Sequence, residues 1–222
     1  MPDKAIDLLS EVVPYLEQKG KTIVEKKDIE ELVQTKTGIP VGEVKSEERD
    51  KLLNLESILR SKIIGQEEAI IAISNAMRKA RSGIENPNRP LGSFLFLGPT
   101  GVGKTETTKA LADVFFGSSS HIERLDMSEY SGFDALEKLI GSFESSKPGI
   151  LSSMIREHPY GVLLLDEFEK TTKEVMNLFL QVLDEGFFSD GMGKKVNTRN
   201  LVIIATSNAG SQIIWDNRYY AR

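Results

Sequence analysis

A three-layer α/β domain, with helices on both faces of a parallel sheet, is the fold this sequence predicts, and three observations predict it. An apolar run at 93–97 (SFLFL) leads into Gly98-Pro99-Thr100-Gly101-Val102-Gly103-Lys104-Thr105, and a helical pattern at 106–116 leaves it. Two further runs, 161–165 and 201–206, are continuously apolar rather than alternating, as in strands covered on both faces. Helical patterns separate the strand candidates, among them 174–183, where Val175, Leu178, Phe179 and Val182 share a face.

Taken in order, the chain starts with a short helix at 2–12, with Ala5, Leu8, Leu9 and Val12 at helical spacing and Pro14 ending it. A short strand is expected at 22–24 and a second helix at 27–37 carrying Ile29, Leu32 and Val33; Gly38 and Pro40 stop it. Residues 41–50 are charged and weakly apolar, which suits a linker, and 51–60 read as a brief helix. From Gln66 the pattern strengthens: Ala69, Ile70, Ile73, Ala76, Met77 and Ala80 form one stripe able to pack on a sheet. Pro87, Asn88 and Pro90 punctuate the approach to the 93–97 strand, and 122–126 is a fourth strand candidate.

The eight residues from Gly98 to Thr105 fit G-x-x-x-x-G-K-[ST], the phosphate-binding P-loop, and lie between a strand and a helix as that motif requires. Glycines let the backbone turn tightly, so its N–H groups and the helix N-terminus face negative charge. Lys104 supplies a cation for the β- and γ-phosphates, and the Thr105 hydroxyl suits a Mg²⁺ ligand. The sequence therefore reads as that of a nucleoside triphosphate binder. The run at 161–167 (GVLLLDE) ends in two acids. Alone it is equally a buried strand closed by surface carboxylates. With the P-loop upstream, Asp166 becomes the metal-holding acid and Glu167 a general base for the attacking water. Asn208, just past the last strand, offers a carboxamide that could orient that water or touch the γ-phosphate.

Composition narrows the classes. The chain of 222 residues is 40% hydrophobic and 27% charged, ordinary for a globular domain, and its formal charge of −5 disfavours a nucleic-acid partner. Without cysteine there is no disulfide framework, thiolate nucleophile or zinc knuckle. The first residues lack a signal-peptide pattern and no apolar run reaches membrane-spanning length, so no membrane partner and a cytoplasmic location are expected.

Several blocks go beyond a generic P-loop fold: PDKAIDLL at 2–9, TGIPV at 37–41, IIGQEEAI at 63–70 and NRPLGSFLFLGPTGVGKTE at 88–106. RLDMSEY at 124–130, LLLDEFEK at 163–170, LQVLDEG at 180–186 and TSNAGS at 206–211 complete them. Together they resemble the Clp family of AAA+ protein unfoldases. The resemblance implies that 1–40 ends a first module's helical lid, 41–60 is a linker, and 61–222 is the second module's large α/β subdomain. It implies a nucleotide site made of Ile63 and Ile64 beside adenine, Gly98 to Thr105 with Glu106 around the phosphates, and Mg²⁺ at Thr105 and Asp166. Glu167 and Asn208 (sensor 1) would be the catalytic groups. The implied cofactors are ATP and Mg²⁺, and the implied activity is ATP hydrolysis coupled to unfolding of protein substrates by a homo-hexamer; whether a peptidase docks on it is left open.

Two departures qualify this. The family's arginine finger and second lid lie beyond sensor 1, so an excised, weakly active fragment is expected. The family also carries an aromatic–aliphatic pair between glycines in the loop at 140–155, where this chain has GSFESSKPGILSSM with Phe143 as its nearby aromatic. Phe187, Phe188 and Met192, in a segment resembling the second pore loop, are either substitutes for that pair or ordinary hairpin packing. An assembly or regulatory module that binds partners without threading them is the alternative reading.

Overall fold

The computed structural model describes residues 2–37, 39, 46–82, 86–144 and 147–211. The chain divides into two compact units, Met1–Lys45 and Ser46–Arg222. In the first, helices α1 (Pro2–Gln18) and α2 (Lys26–Thr37) bury Val12, Leu16 and Leu32 against one another. Pro14 does not end α1. It sits exposed inside the helix, and the packing of Val12 and Leu16 on either side outweighs the missing backbone hydrogen bond. Nor is 22–24 a strand: Ile23 is 73% exposed in an irregular turn, and no described strand lies alongside to form a ladder. Asp28, in the first turn of α2, accepts from the Glu25 N–H (3.0 Å) and from Lys21 Nζ (2.7 Å). Gly38, Pro40 and residues 41–45 lie outside the described residues, as do the side chains of Ala5 and Leu9.

The second unit opens with α3 (Ser46–Leu53) and α4 (Leu55–Lys62), so the helix expected at 51–60 is two helices broken at Asn54. In α5 (Glu67–Arg81), Ile70, Ile73 and Met77 are buried and Ala69, Ala76 and Ala80 half-buried, the stripe read from the sequence. Four strands, β1 (Gly92–Leu97), β2 (Ile122–Asp126), β5 (Gly161–Asp166) and β8 (Leu201–Ser207), make one parallel sheet in the order β1-β8-β5-β2. The two continuously apolar strands, β5 and β8, take the central places and are buried almost throughout. Strand β1 lies at the edge and alternates buried or half-buried residues with exposed ones.

Helix α6 (Lys104–Leu111) begins two residues earlier than the sequence pattern suggests, and its last turn widens into a π-helical turn at Ala112–Phe116. Helices α7 (Ala135–Ile140), α8 (Ile150–Glu157) and α9 (Lys173–Glu185) bury Leu139, Leu151, Ile155, Val175, Phe179 and Val182 in one core with Leu163, Leu165 and Ile203 of the sheet. Two small antiparallel ribbons complete the unit: β3 (Gly141–Ser142) with β4 (Lys147–Pro148), and β6 (Phe187–Ser189) with β7 (Lys195–Asn197). Phe188 is wholly buried in the core, so its role is hairpin packing; Met192 and Phe143 are exposed.

The ribbons are clasped together. Asp190, only 5% exposed, accepts from Arg156 (2.5 Å) and from the N–H groups of Met192 (2.9 Å) and Lys194 (2.8 Å). The Gly191 N–H donates to the Ile140 carbonyl (2.9 Å). A methyl group added at Gly191 would stand 2.1 Å from the Gly141 carbonyl oxygen, and one at Gly149 2.2 Å from the backbone of Ile140.

Candidate functional site

Parallel strands place their carboxyl ends along one rim of the sheet, and that is where the sequence-predicted polar residues gather. The register sets Asp126 beside Asp166 across β2 and β5, and Leu97 beside Ser207 across β1 and β8. A cleft of about 370 Å³ at this rim is lined by Thr100, Gly101, Gly103, Lys104, Thr105 and Glu106 of the loop and helix start. Asp166, Glu167 and Asn208 close its other side.

The loop owes its shape to glycine. Gly101 and Gly103 have φ of +84° and +96°, where a side chain is strained, yet no atom lies within 4 Å of the place a Cβ would occupy. The backbone here demands conformation and leaves space. Because α6 starts at Lys104, the N–H groups of its first turn have no intrahelical partner and are free to face an anion.

Lys104 Nζ donates to the carbonyls of Gly98 and Pro99 and to Asn208 Oδ1 (2.8 Å), bridging the loop to the end of β8. Asp166 accepts from Arg124 Nη2 (2.5 Å) through one oxygen and from the Thr206 hydroxyl through the other. That hydroxyl in turn accepts from the Glu167 N–H (3.2 Å). Glu167 is held in the left-handed region, φ +54°, uncommon for a side-chain-bearing residue. Its carboxylate receives Lys170 Nζ at 2.6 Å, and that contact holds the Lys170 ammonium pKa above its ordinary value. Asp126 takes both the hydroxyl (2.6 Å) and the N–H (3.0 Å) of Ser128, which hold its carboxyl below the usual range.

A second cavity of about 200 Å³ shares Gly103 and Lys104 with the first and is lined by Gln66, Ala69, Leu95, Val102 and Thr107 among others. Gln66 Nε2 reaches the Val102 carbonyl (3.3 Å) and so ties the 63–66 segment to the loop. Ile63 is buried and its N–H closes α4 on the Leu59 carbonyl; Ile64 is fully exposed. Among the described residues neither lines either cavity, whereas Gln66 does. Glu106 lines the first cleft and pairs with Lys109 (2.8 Å).

Arg124 and Asp126 line the cleft, and Lys170 and Glu169 bond to its lining residues Glu167 and Asn208; the sequence pattern singles out none of the four. Arg124 and Asp126 carry a faint signal, two charges at alternate positions at the end of a strand, which period 2 puts on one face. Glu169 carries none, because its partner, the Asn208 N–H, is distant in sequence.

Comparison with known proteins agrees with this geometry. The AAA domain family (Cdc48 subfamily) matches residues 89–221. The chain is 48% identical over 209 residues to chaperone protein ClpB 1 of Nostoc sp. PCC 7120, covering 90% of this chain and 24% of that protein. It is 48% identical to a ClpA homolog, the ATP-binding subunit of an ATP-dependent Clp protease, from Porphyra purpurea (86% and 24% covered). Its identity to ClpB of Rhodopirellula baltica is 49% (86% and 22% covered). Among solved structures, the closed state of Hsp104 with ATPγS and FITC casein superposes with a TM-score of 0.85 at 38% identity, covering 98% of this chain and 39% of that one. The chain thus spans about a quarter of the length of the curated relatives it matches. With a P-loop at the rim of a parallel sheet and a matching family over most of the second unit, the chain belongs to the AAA family of nucleotide-binding domains.

Proposed function

We propose that this chain binds ATP with Mg²⁺ and serves, in a full-length ring, to couple ATP hydrolysis to the unfolding or remodelling of protein substrates. One observation carries the reading: Lys104, Asn208, Asp166 and Glu167 meet at one cleft, although they come from three separate stretches of sequence. Lys104 Nζ rests on carbonyl and carboxamide oxygens rather than a carboxylate, which leaves its charge for phosphate. Thr105 and Asp166 are the residues that would hold Mg²⁺, whose preference for few carboxylates together with phosphate oxygens suits them. Bound there, the ion would neutralise charge developing on the phosphates. Glu167 would take the proton of the attacking water, and Asn208 would orient that water or contact the γ-phosphate. The smaller cavity beside Lys104, with Ala69, Leu95 and Val102, supports a place for the base between the 63–66 segment and the loop.

In the same reading, residues 1–40 end a helical lid, 41–60 link it onward and 61–222 form a large subdomain. The reading extends to a homo-hexamer in a cytoplasmic setting, and the relative named as a Clp protease subunit is what supports a docked peptidase. No helix among the described residues is long and apolar enough to cross a membrane. The exposed Phe143 and the short β3–β4 ribbon, in place of an aromatic–aliphatic pair, favour a second reading, a module that binds a folded partner without threading it.

Calorimetric titration with ATP, with and without Mg²⁺, tests the site. Thr105→Ala is expected to weaken binding in the presence of Mg²⁺ more than in its absence. In the full-length protein, ATPase stimulation by an unfolded polypeptide supports threading, and stimulation by one folded partner alone supports the second reading.

A further inference from the structure

The pairing of β5 with β8 ends at Leu165 and Ala205, whereas on the other side β8 stays paired with β1 as far as Ser207. On the β5 side, the Asn208 N–H therefore has no strand to donate to. A turn from Asp166 to Lys170 folds back over this gap and fills it with side chains. Asp166 accepts from the Thr206 hydroxyl, and Glu169 Oε1 accepts from the Asn208 N–H at 3.1 Å. Residues 206 and 208 are thus each fastened by an acid from one four-residue stretch, Thr206 through its hydroxyl and Asn208 through its backbone N–H, so at Asn208 a carboxylate stands where the ladder would offer a carbonyl.

We infer that Glu169 is a positioning residue: it anchors the backbone of Asn208 so that its carboxamide meets Lys104 at the phosphate end of the cleft. This rests on the reading of Asn208 as a group that faces the phosphates. Asn208 is held by Glu169 at its N–H and by Lys104 Nζ at its Oδ1, while its carbonyl accepts from Ser211. The Glu169 support is a charge-assisted bond, stronger than a neutral one. Burial pushes the Glu169 carboxyl pKa upward, but its own N–H, the Asn208 N–H and the Ser207 hydroxyl outweigh that and hold it below the usual value, so the anion persists. Loss of that support leaves the segment after β8 tied, among the described residues, by the Ala209 N–H on the Ser207 hydroxyl (3.0 Å), the Ser211–Asn208 turn and Lys104.

The test compares Glu169→Ala, Glu169→Asp, Glu169→Gln and Asn208→Ala in the full-length protein, measuring kcat, KM, affinity for a fluorescent ATP analogue, and amide hydrogen exchange at 208–209. A displaced orienting group costs on the order of tenfold to a hundredfold in kcat. Glu169→Ala is expected to show that loss, with KM and affinity within about twofold and faster exchange at 208–209. Glu169→Gln retains an acceptor and should recover most of kcat, while Glu169→Asp keeps the charge but shortens the reach and should lie between, at an unchanged melting temperature. If Glu169→Ala is poorly folded, Glu169→Asp decides. Normal kcat in Asn208→Ala would remove the reading of Asn208 itself. A large kcat loss in Asn208→Ala beside normal kcat and unchanged exchange in both Glu169→Ala and Glu169→Asp would overturn the inference alone.

Discussion

Glycine is concentrated in two regions of the second unit for opposite reasons. In the phosphate loop, Gly101 and Gly103 have a conformation that side chains resist, and the space a side chain would fill is open. In the clasp of the two ribbons, Gly149 and Gly191 meet backbone so closely that a Cβ would fall 2.1–2.2 Å from it. One region keeps open space beside its backbone, whereas the other is closed upon itself. Residue type alone does not separate a ligand cradle from a structural joint; the space around each Cβ does.

If the loop side is the working side, its variants should cost function and leave stability nearly intact. The largest effect is expected at Glu167. Glu167→Gln in the full-length protein keeps the shape but cannot accept the water's proton, and should cut turnover by about 10²–10⁴ while ATP still binds. Measured phosphate release at the wild-type rate would place the general base elsewhere. Next comes Lys104→Ala, which removes the cation that bridges Gly98, Pro99 and Asn208. Calorimetry should show ATP affinity reduced by at least about a hundredfold, ~2.7 kcal/mol. Unchanged affinity would sink the assignment of the loop.

Variants of the clasp should do the reverse. Asp190→Asn keeps the shape but gives up a nearly buried charge paired with Arg156, and should cost about 1–3 kcal/mol of stability by denaturant melt. Burial raises the Asp190 pKa, yet Arg156 and the N–H groups of Lys194 and Met192 lower it further, to a net value below its ordinary 3.8. A depressed carboxylate adds stability that is present above the unfolded value and lost as pH falls through the folded one. Wild-type melting temperature should therefore drop as pH falls below about 4, and Asp190→Asn should flatten part of that decline. An identical pH profile in both proteins would show that the clasp carries no such charge.

The same contrast explains which parts of the molecule are legible in its sequence. The loop is legible because its chemistry is local: eight consecutive residues state the turn, the cation and the hydroxyl. Strands β5 and β8 are legible because burial on both faces writes itself as unbroken apolar runs. Arg124, Glu169 and the clasp are not, since each depends on a partner far along the chain: Asp166, Asn208, and Asp190 with Arg156. Pro14 misleads for a related reason. A local rule for ending helices is overruled by burial of Val12 and Leu16 against Leu32, a contact made from another helix.

The most direct test pairs one glycine from each region, Gly101→Ala and Gly191→Ala, and measures both the melting curve and the ATP titration of each. Gly191→Ala is expected to lose about 1–3 kcal/mol of stability through overpacking, with ATP affinity within about twofold of wild type. Gly101→Ala is expected to lose ATP affinity by about tenfold or more, with a stability change of only ~1 kcal/mol from its left-handed backbone. Equal loss of ATP affinity in the two variants, or a Gly191→Ala protein that melts like wild type, would contradict the division of the molecule into a cradle and a clasp.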